Sequence, residues 1–248
     1  MIDLSSIRIV LVEPSHPGNI GGAARAMKTM GLGKLVVVNP RRYPDPQADW
    51  RAAGALDVLD AAEVVADVDS AIAQCHWVVG TSTRNRRIPW PVADAKRMAG
   101  ELAGNLAATQ DQQVAILFGR EDNGLSNEEL QRCHLHLQIP AAPEYSSLNL
   151  AMAVQVVCYE LFQAMVETEA PISAPGDREW DRPRATAAQV EGMLQHMEDV
   201  LIANDFLQAD NPGQTMTRLR RLFARTQLDD TEVQIMRGIF KHFGKSVP

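Results

Sequence analysis

Cysteines, aromatic residues and long apolar runs are scarce in this 248-residue chain. The three cysteines, Cys75, Cys133 and Cys158, form no CxxC pair, which argues against a disulfide framework or a zinc knuckle. His134 and His136 alternate with apolar residues in CHLHLQI, a pattern typical of a half-exposed strand. No apolar run approaches the roughly 20 residues that a membrane-spanning helix needs, and no basic and apolar leader opens the chain. The sequence therefore predicts a cytoplasmic protein without a membrane segment and without a metal site.

An excess of positive charge is also missing, because the formal net charge is −7. General affinity for nucleic acid comes from neutralising phosphates, so an acidic protein that binds RNA must concentrate its cations locally. Two such clusters occur in TSTRNRRIPW and TRLRRLFART, and they comprise Arg84, Arg86, Arg87, Arg218, Arg220, Arg221 and Arg225. Either cluster alone could be a solvated face, whereas the two together indicate a localised phosphate-binding surface.

Strand and helix patterns alternate through the first two thirds of the chain. Short branched apolar runs, typical of strands buried on both faces of a parallel sheet, cover 7–12, 34–38, 77–80, 114–118 and 135–139. Helical patterns lie between them, near 20–31, 47–54, 91–105 and 126–133, and a long helix follows from Leu148 to Glu167 with Ser147 as its predicted N-cap. This order predicts an α/β fold with a parallel sheet.

The pattern changes after residue 167. Prolines, a glycine and charges in TEAPISAPGDREWDRPRA predict a linker over 168–185 between an α/β domain, 1–167, and a helical domain, 186–248. Thr186 and Gln189 form a predicted capping box at the start of the first of three amphipathic helices. So few helical residues bury little core alone, and we expect this domain to rest on the main domain or on a second subunit.

Three polar, glycine- or serine-rich turns follow predicted strands, where parallel α/β sheets bind ligands. The first, EPSHPGNIGGAARAMKTMGL, carries Asn19 and Arg25, which could project in the same direction; its glycines do not match the GxGxxG pattern of a dinucleotide-binding domain. The second, LFGREDNGLSNEEL, offers Gly119, Glu121 and a capping box at Ser126 and Glu129. The third, IPAAPEYSSLNL, offers hydroxyls and free helix N–H groups. Each turn alone could serve only packing or capping.

Taken in order, NIGGAAR, FGREDNGL and IPAAPEYSSLNLAMA resemble the three motifs of the SPOUT class of RNA methyltransferases. Over essentially the whole chain, the sequence is similar to the bacterial tRNA ribose methyltransferases that act at anticodon-loop position 32. The resemblance implies a sheet threaded into a deep C-terminal trefoil knot, an exception to the usual topology, and S-adenosyl-L-methionine (SAM) bound within it. The implied SAM-binding residues are Thr81, Ser82, Thr83, Gly119, Ile139, Ser146, Ser147 and Leu148.

The same resemblance implies a homodimer with its active site at the subunit interface, a tRNA substrate and transfer of a methyl group to a ribose 2′-hydroxyl. Arg25 is then the first candidate for catalysis, hydrogen-bonding the developing alkoxide or the adjacent phosphate, since a guanidinium is too basic to remove a proton. Asn19, Glu121, Ser147 and Asn149 would orient Arg25 and the nucleotide. Both arginine clusters are candidates to bind flanking phosphates.

Alternatives remain open from the sequence. A methyltransferase of the same class acting on another tRNA or rRNA nucleotide would share all three motifs. A nucleotide-dependent oxidoreductase would need the dinucleotide fingerprint that this chain lacks. A non-catalytic RNA-binding protein would need no SAM pocket at the Gly119 and Ser146–Leu148 turns.

Overall fold

A computed structural model of the protein describes residues 4–82, 90–108, 112–167, 182–208 and 214–244. A single seven-stranded sheet lies at its centre, with the strand order β3-β2-β1-β6-β4-β7-β5 and every pairing parallel. The strands are β1 (Ile7–Val12), β2 (Lys34–Val38), β3 (Glu63–Val65), β4 (Trp77–Thr81), β5 (Val92–Asp94), β6 (Val114–Phe118) and β7 (Leu135–Gln138). The predicted α/β fold with a parallel sheet is confirmed.

Helices cover both faces of the sheet, as parallel strands with few polar residues require. They are α1 (Pro17–Thr29), α2 (Pro46–Ala52), α3 (Leu56–Asp60), α4 (Val68–Ile72), α5 (Ala95–Ala108), α6 (Asn127–Gln131) and α7 (Leu150–Glu167). One face packs mainly on α1, α5 and α7, and the other on α4 and α6. Apolar residues of β1, β4 and β6 alternate between these two clusters, which explains why these strands are mostly apolar on both faces.

The sequence pattern did not predict two of the strands, and both lie at the edges of the sheet. β3 has only three residues, of which Glu63 and Val64 are exposed, so its sequence carries no buried run. β5 occupies the start of the segment predicted as a helix over 91–105, and that prediction is wrong for residues 92–94. Asp94 ends the strand and accepts the Arg97 N–H at 2.8 Å, which caps the helix that begins one residue later.

The predicted half-exposed strand around CHLHLQI is also wrong, because β7 lies between β4 and β5 and is largely buried. The ring of His136 stacks on Trp90 with centroids 5.3 Å apart, and His134 accepts the Val78 N–H at 3.0 Å through Nδ1. These contacts assign structural roles to both histidines. Among the described residues there is no group of three His, Cys, Asp or Glu side chains that could hold a metal ion.

Close backbone packing brings α1 to the edge of the sheet where the strands end. A Cβ added to Gly21 would lie 2.0 Å from the Ala48 carbonyl oxygen of α2, and one added to Gly22 would lie 2.9 Å from the Ala151 Cβ of α7. Both glycines therefore allow the close approach of α1 to α2 and α7. The packing holds the first turns of α1 and α7 side by side.

Three helices form a third apolar cluster in the last quarter of the chain: α8 (Ala187–Ala203), α9 (Thr215–Thr226) and α10 (Asp230–Phe243). The predicted capping box of Thr186 and Gln189 is present, and the predicted apolar side of α8 contributes to this cluster. The Ala187 N–H donates to the Cys75 carbonyl at 2.8 Å, and Ala185 donates to Leu228 at 2.9 Å. Residues 182–187 thus contact both the helical cluster and the segment between α4 and β4, while 168–181 lie outside the described residues. No described helix is long and apolar enough to cross a membrane.

Candidate active site

A cavity of about 270 Å³ opens at the carboxyl ends of β4, β6 and β7. Its apolar walls include Phe118, Leu137 and Leu150, and its polar groups come from the loops that follow the strands. Of the residues predicted from the sequence to bind a cofactor or act in catalysis, those that line it are Thr81, Ser82, Gly119, Glu121, Ile139, Ser147 and Leu148. Apolar walls with a few convergent polar groups are typical of a small-molecule site.

Two hydrogen bonds fix the end of β4 at this cavity. The Thr81 hydroxyl donates to the Leu117 carbonyl at 3.0 Å, and the Ser82 N–H donates to the Leu137 carbonyl at 2.9 Å. Ser146, predicted to line the same site, instead lines a neighbouring cavity that shares Ile139 with the first. Thr83 lies outside the described residues.

The loop after β6 folds back on itself through two glycines. A Cβ on Gly119 would lie 2.1 Å from the carbonyl carbon of Gly124, and Gly124 has a φ of +70°, the left-handed region that favours glycine. The Gly124 N–H also donates to the Arg120 carbonyl at 2.9 Å. The FGREDNG sequence therefore encodes a tight turn whose inner surface lines the cavity.

Arg120 clamps this turn, a role that the sequence analysis missed. Its Nη2 lies 2.7 Å from Glu13 Oε1 and 3.0 Å from Glu129 Oε1, and its Nε and Nη1 bond the second oxygens of the same carboxylates at 3.0 Å. The hydrogen bond with Arg120, opposed by burial, holds the pKa of Glu13 below its ordinary value of 4.5. Glu129 also completes the predicted capping box with Ser126. The sequence does carry a signal for this role of Arg120. An arginine directly follows a turn glycine, and one acidic residue follows a strand while another lies at the start of a helix.

Glu121, the next residue, is the centre of a polar network. Its carboxylate accepts the Ser15 N–H at 3.0 Å and the Asn19 Nδ2 at 2.9 Å, and Asn19 Oδ1 accepts the Asn149 Nδ2 at 2.9 Å. Burial alone would raise the pKa of Glu121, but the hydrogen bonds from Ser15 and Asn19 outweigh it and lower that pKa. Glu121 is therefore a carboxylate at neutral pH, close to the positive end of α1. The structure brings three of the five predicted catalytic residues together.

The start of α7 differs from the sequence-based expectation. The helix begins at Leu150 rather than Leu148, and Asn149, not Ser147, caps it by accepting the Ala151 N–H at 3.0 Å. The amide of Asn149 can cap with its oxygen while its nitrogen reaches Asn19, which a serine hydroxyl could not do as well. Ser147 is left exposed at the cavity.

Arg25 stands apart from the cavity within a single chain. It is exposed, it does not line the cavity, and its guanidinium has no partner among the residues that the structure describes. Six residues along a helix rotate a side chain by about 120° relative to the first, so Asn19 and Arg25 do not project in the same direction, contrary to the expectation.

The predicted RNA-binding arginines fall into three groups. Arg84, Arg86 and Arg87 lie outside the described residues. Arg218 is exposed on α9, and Arg221 is partly buried. Arg220 forms an ion pair with Glu191 of α8, with its side chain only 16% exposed, so it stabilises the packing of the two helices. Arg218 and Arg225 are the exposed arginines of the described part of this cluster.

Family comparison matches the model of the SpoU rRNA Methylase family over residues 6–159, which include the whole cavity. The chain belongs to the SpoU rRNA methylase family. A second model, the C-terminal domain of the tRNA methyltransferase TrmJ, matches residues 188–247. The resemblance to SPOUT RNA methyltransferases found in the sequence is thereby confirmed.

Individual SpoU relatives are similar to the chain over nearly its full length. The tRNA (cytidine/uridine-2′-O-)-methyltransferase TrmJ of Cronobacter sakazakii is 48% identical over 237 residues, which is 95% of each chain. The crystal structure of TrmJ from Z. mobilis ZM4 shares 32% identity with a TM-score of 0.79, covering 95% of this chain and 97% of that one. A probable methylase family protein from Haemophilus influenzae shares 39% identity with a TM-score of 0.63, covering 98% and 97%.

Proposed function

We propose that this protein is a SAM-dependent tRNA 2′-O-methyltransferase that modifies the ribose of cytidine or uridine at anticodon-loop position 32. The observation that carries the proposal is the cavity at the carboxyl ends of β4, β6 and β7, lined by residues of the second and third motifs. Full-length similarity to TrmJ proteins and the separate match of residues 188–247 support tRNA as the substrate. A cytoplasmic location follows from that substrate.

SAM would occupy this cavity, held by Thr81, Ser82, Gly119, Ile139, Ser147 and Leu148. The fit rests on the apolar walls, which suit an adenine ring, and on the backbone and hydroxyl groups at the strand ends, which suit ribose and amino-acid groups. SAM supplies a methyl group on a cationic sulfur, so the protein's task is chiefly to position an oxygen in line with it. As part of the same proposal, β7 and α7 form the knotted segment.

The network of Glu121, Asn19 and Asn149 would hold the nucleotide-binding side of the cavity rigid. Glu121 is ionised and accepts two donors from the residues just before α1 and one from its first turn, so it fixes the start of that helix rather than removing a proton. Ser147 is exposed at the cavity and would donate to the ribose or the adjacent phosphate. The ribose proton would leave to the phosphate or to water.

A homodimer would complete the site. Arg25 is exposed and lies outside the cavity of its own chain, so we propose that it reaches the cavity of a second copy. The apolar residues Met152, Tyr159 and Phe162 are 64%, 45% and 41% exposed on α7, the helix beside α1. Large apolar side chains exposed on one helix are typical of an interface. There Arg25 would stabilise the developing alkoxide by hydrogen bonding.

The direct test is nucleoside analysis of tRNA incubated with the protein and labelled SAM. We expect 2′-O-methylcytidine and 2′-O-methyluridine at position 32. A labelled methyl group at another tRNA or rRNA nucleotide would mean that the protein carries out the same reaction on a different substrate. Isothermal titration that detects no SAM binding, with or without tRNA, would overturn the methyltransferase assignment itself.

A further inference from the structure

A second cavity, of about 450 Å³, lies beside the proposed SAM site, at the edge of the sheet formed by β5 and β7. The two cavities share Ile139, and the consecutive residues Ser146 and Ser147 line one each. The volume falls within the range of about 300–1,000 Å³ that small-molecule sites occupy. Among the described residues predicted for SAM binding, Ile139 and Ser146 line this second cavity.

The polar groups of the second cavity divide into satisfied and unsatisfied ones. Asp94 accepts the Arg97 N–H at 2.8 Å, and Arg97 Nε donates to Glu101 at 2.8 Å. In contrast, the side-chain amide of Gln138 and the hydroxyl of Ser146 have no hydrogen-bond partner within the described ranges. Gln138 is half-buried at the end of β7, so a ligand that pairs with its amide compensates for lost water contacts.

Apolar surface forms the remaining walls. Val92 is 44% exposed, and Ala93, Ile139, Pro140 and Ala141 line the same space. Small apolar side chains and a proline suit the flat face of an aromatic ring, while the amide and hydroxyl suit its edge. These are the two features by which proteins recognise an unstacked base.

The proposed reaction requires the base of the target nucleotide to lie close to the SAM cavity. The reacting 2′-oxygen and the base are attached to neighbouring ribose carbons, so a ribose at the SAM cavity places its base within a few ångströms of it. A cavity that shares a wall residue with the SAM site is therefore in the position that the base requires. This step rests on the function proposed above.

We propose that the cavity lined by Gln138 receives the pyrimidine of the target nucleotide and that Gln138 reads its 4-position. Cytosine presents an amino donor there, and uracil presents a carbonyl acceptor. A glutamine amide offers both an acceptor and a donor, and rotation by about 180° exchanges them. A single side chain can thus accept either pyrimidine, as the name of the cytidine/uridine methyltransferases requires.

A charged residue in place of Gln138 can no longer both donate and accept a hydrogen bond: a carboxylate only accepts, and an ammonium only donates. The carboxylate of Gln138→Glu only accepts, so the ratio of kcat/KM for cytidine over uridine is expected to rise by about tenfold. The ammonium of Gln138→Lys only donates, so the ratio is expected to fall by a similar factor. The substrates are two tRNA transcripts that differ only at the target nucleotide, and SAM affinity is measured in parallel.

Gln234→Glu is the matched control, because it makes the same charge change on an exposed position of α10. It is expected to leave the cytidine-to-uridine ratio at its wild-type value. If the ratio stays constant in both Gln138 variants while each still binds SAM, the base-reading role is refuted. If the wild-type protein methylates neither transcript, the proposed function itself fails.

Discussion

Replacing Arg120 with alanine tests whether the turn at the SAM cavity depends on its clamp. The guanidinium makes four hydrogen bonds of 2.7–3.0 Å to two carboxylates. Exposed ion pairs contribute about 0–1 kcal/mol, whereas removing one partner of a buried pair costs about 3–5 kcal/mol. The side chains of Arg120, Glu13 and Glu129 are 24%, 39% and 13% exposed, which places this cluster between those limits.

The two acids respond differently to the loss. Glu13 can regain water because it is the most exposed of the three, while Glu129 keeps the Ser126 N–H at 2.7 Å as a partner. We therefore expect Arg120→Ala to lower the free energy of unfolding by about 2 kcal/mol. Because the freed turn carries Gly119 and Glu121 at the cavity, SAM affinity should fall about fivefold, equivalent to about 1 kcal/mol of ordering cost.

Arg132→Ala is the control for both measurements. Arg132 pairs with Asp69, which is 58% exposed, and it does not line the proposed SAM cavity. Urea denaturation should show a loss below about 1 kcal/mol for this variant, and titration calorimetry should show unchanged SAM affinity. Equal SAM affinity in the wild type and Arg120→Ala would refute the clamp, whatever happens to stability.

Three further changes test other parts of the site. Arg25→Ala should keep SAM affinity and lose methylation by at least about 100-fold; an active variant would remove Arg25 from the mechanism. Arg218→Ala with Arg225→Ala should weaken tRNA binding and lower the slope of log affinity against log salt by about 2, and unchanged binding would make this cluster a solvated surface. Because the pKa of Glu121 is lower in the folded protein, its stabilisation is present above pH 4.5 and is lost as the pH falls through the folded pKa. Glu121→Gln should therefore reduce the loss of stability on acidification below pH 4.5. If the free energy of unfolding of the variant falls as steeply below pH 4.5 as that of the wild type, the role of Glu121 in the network is contradicted.

The apolar pattern located the central strands because they are buried on both faces, where most residues must be apolar. The edges of the sheet carry no such constraint, which explains why β3 and β5 were missed. Capping boxes were predictable at Ser126 and Thr186, since side chain and backbone satisfy each other within four residues. Ser147 was the wrong cap because two hydroxyls and an amide compete there, and only the position of Asn19 on the neighbouring helix α1 decides for Asn149.

Long-range partners explain what the sequence could not show at the site. Arg120 bonds Glu13 across 107 residues, and Glu121 bonds Asn19 across 102. No local pattern joins such residues, because the pairing arises only when β1 and β6 lie side by side in the sheet. The sequence motifs identified the loops, and the register of the strands determined which of their side chains meet.

The placement of Arg25 supports an active site shared between two chains. A guanidinium remains protonated in proteins, so Arg25 stabilises charge only if it lies within hydrogen-bonding distance of the reacting oxygen. Within one chain the rotation along α1 directs Asn19 to Glu121 and leaves Arg25 exposed, outside the cavity. If Arg25 is needed for methyl transfer, the cavity of one chain must receive it from another, and mixing Arg25→Ala protein with a SAM-binding-deficient variant should restore activity in the mixed dimers. The absence of such complementation, with mixed dimers demonstrated, would show that each chain uses its own arginine.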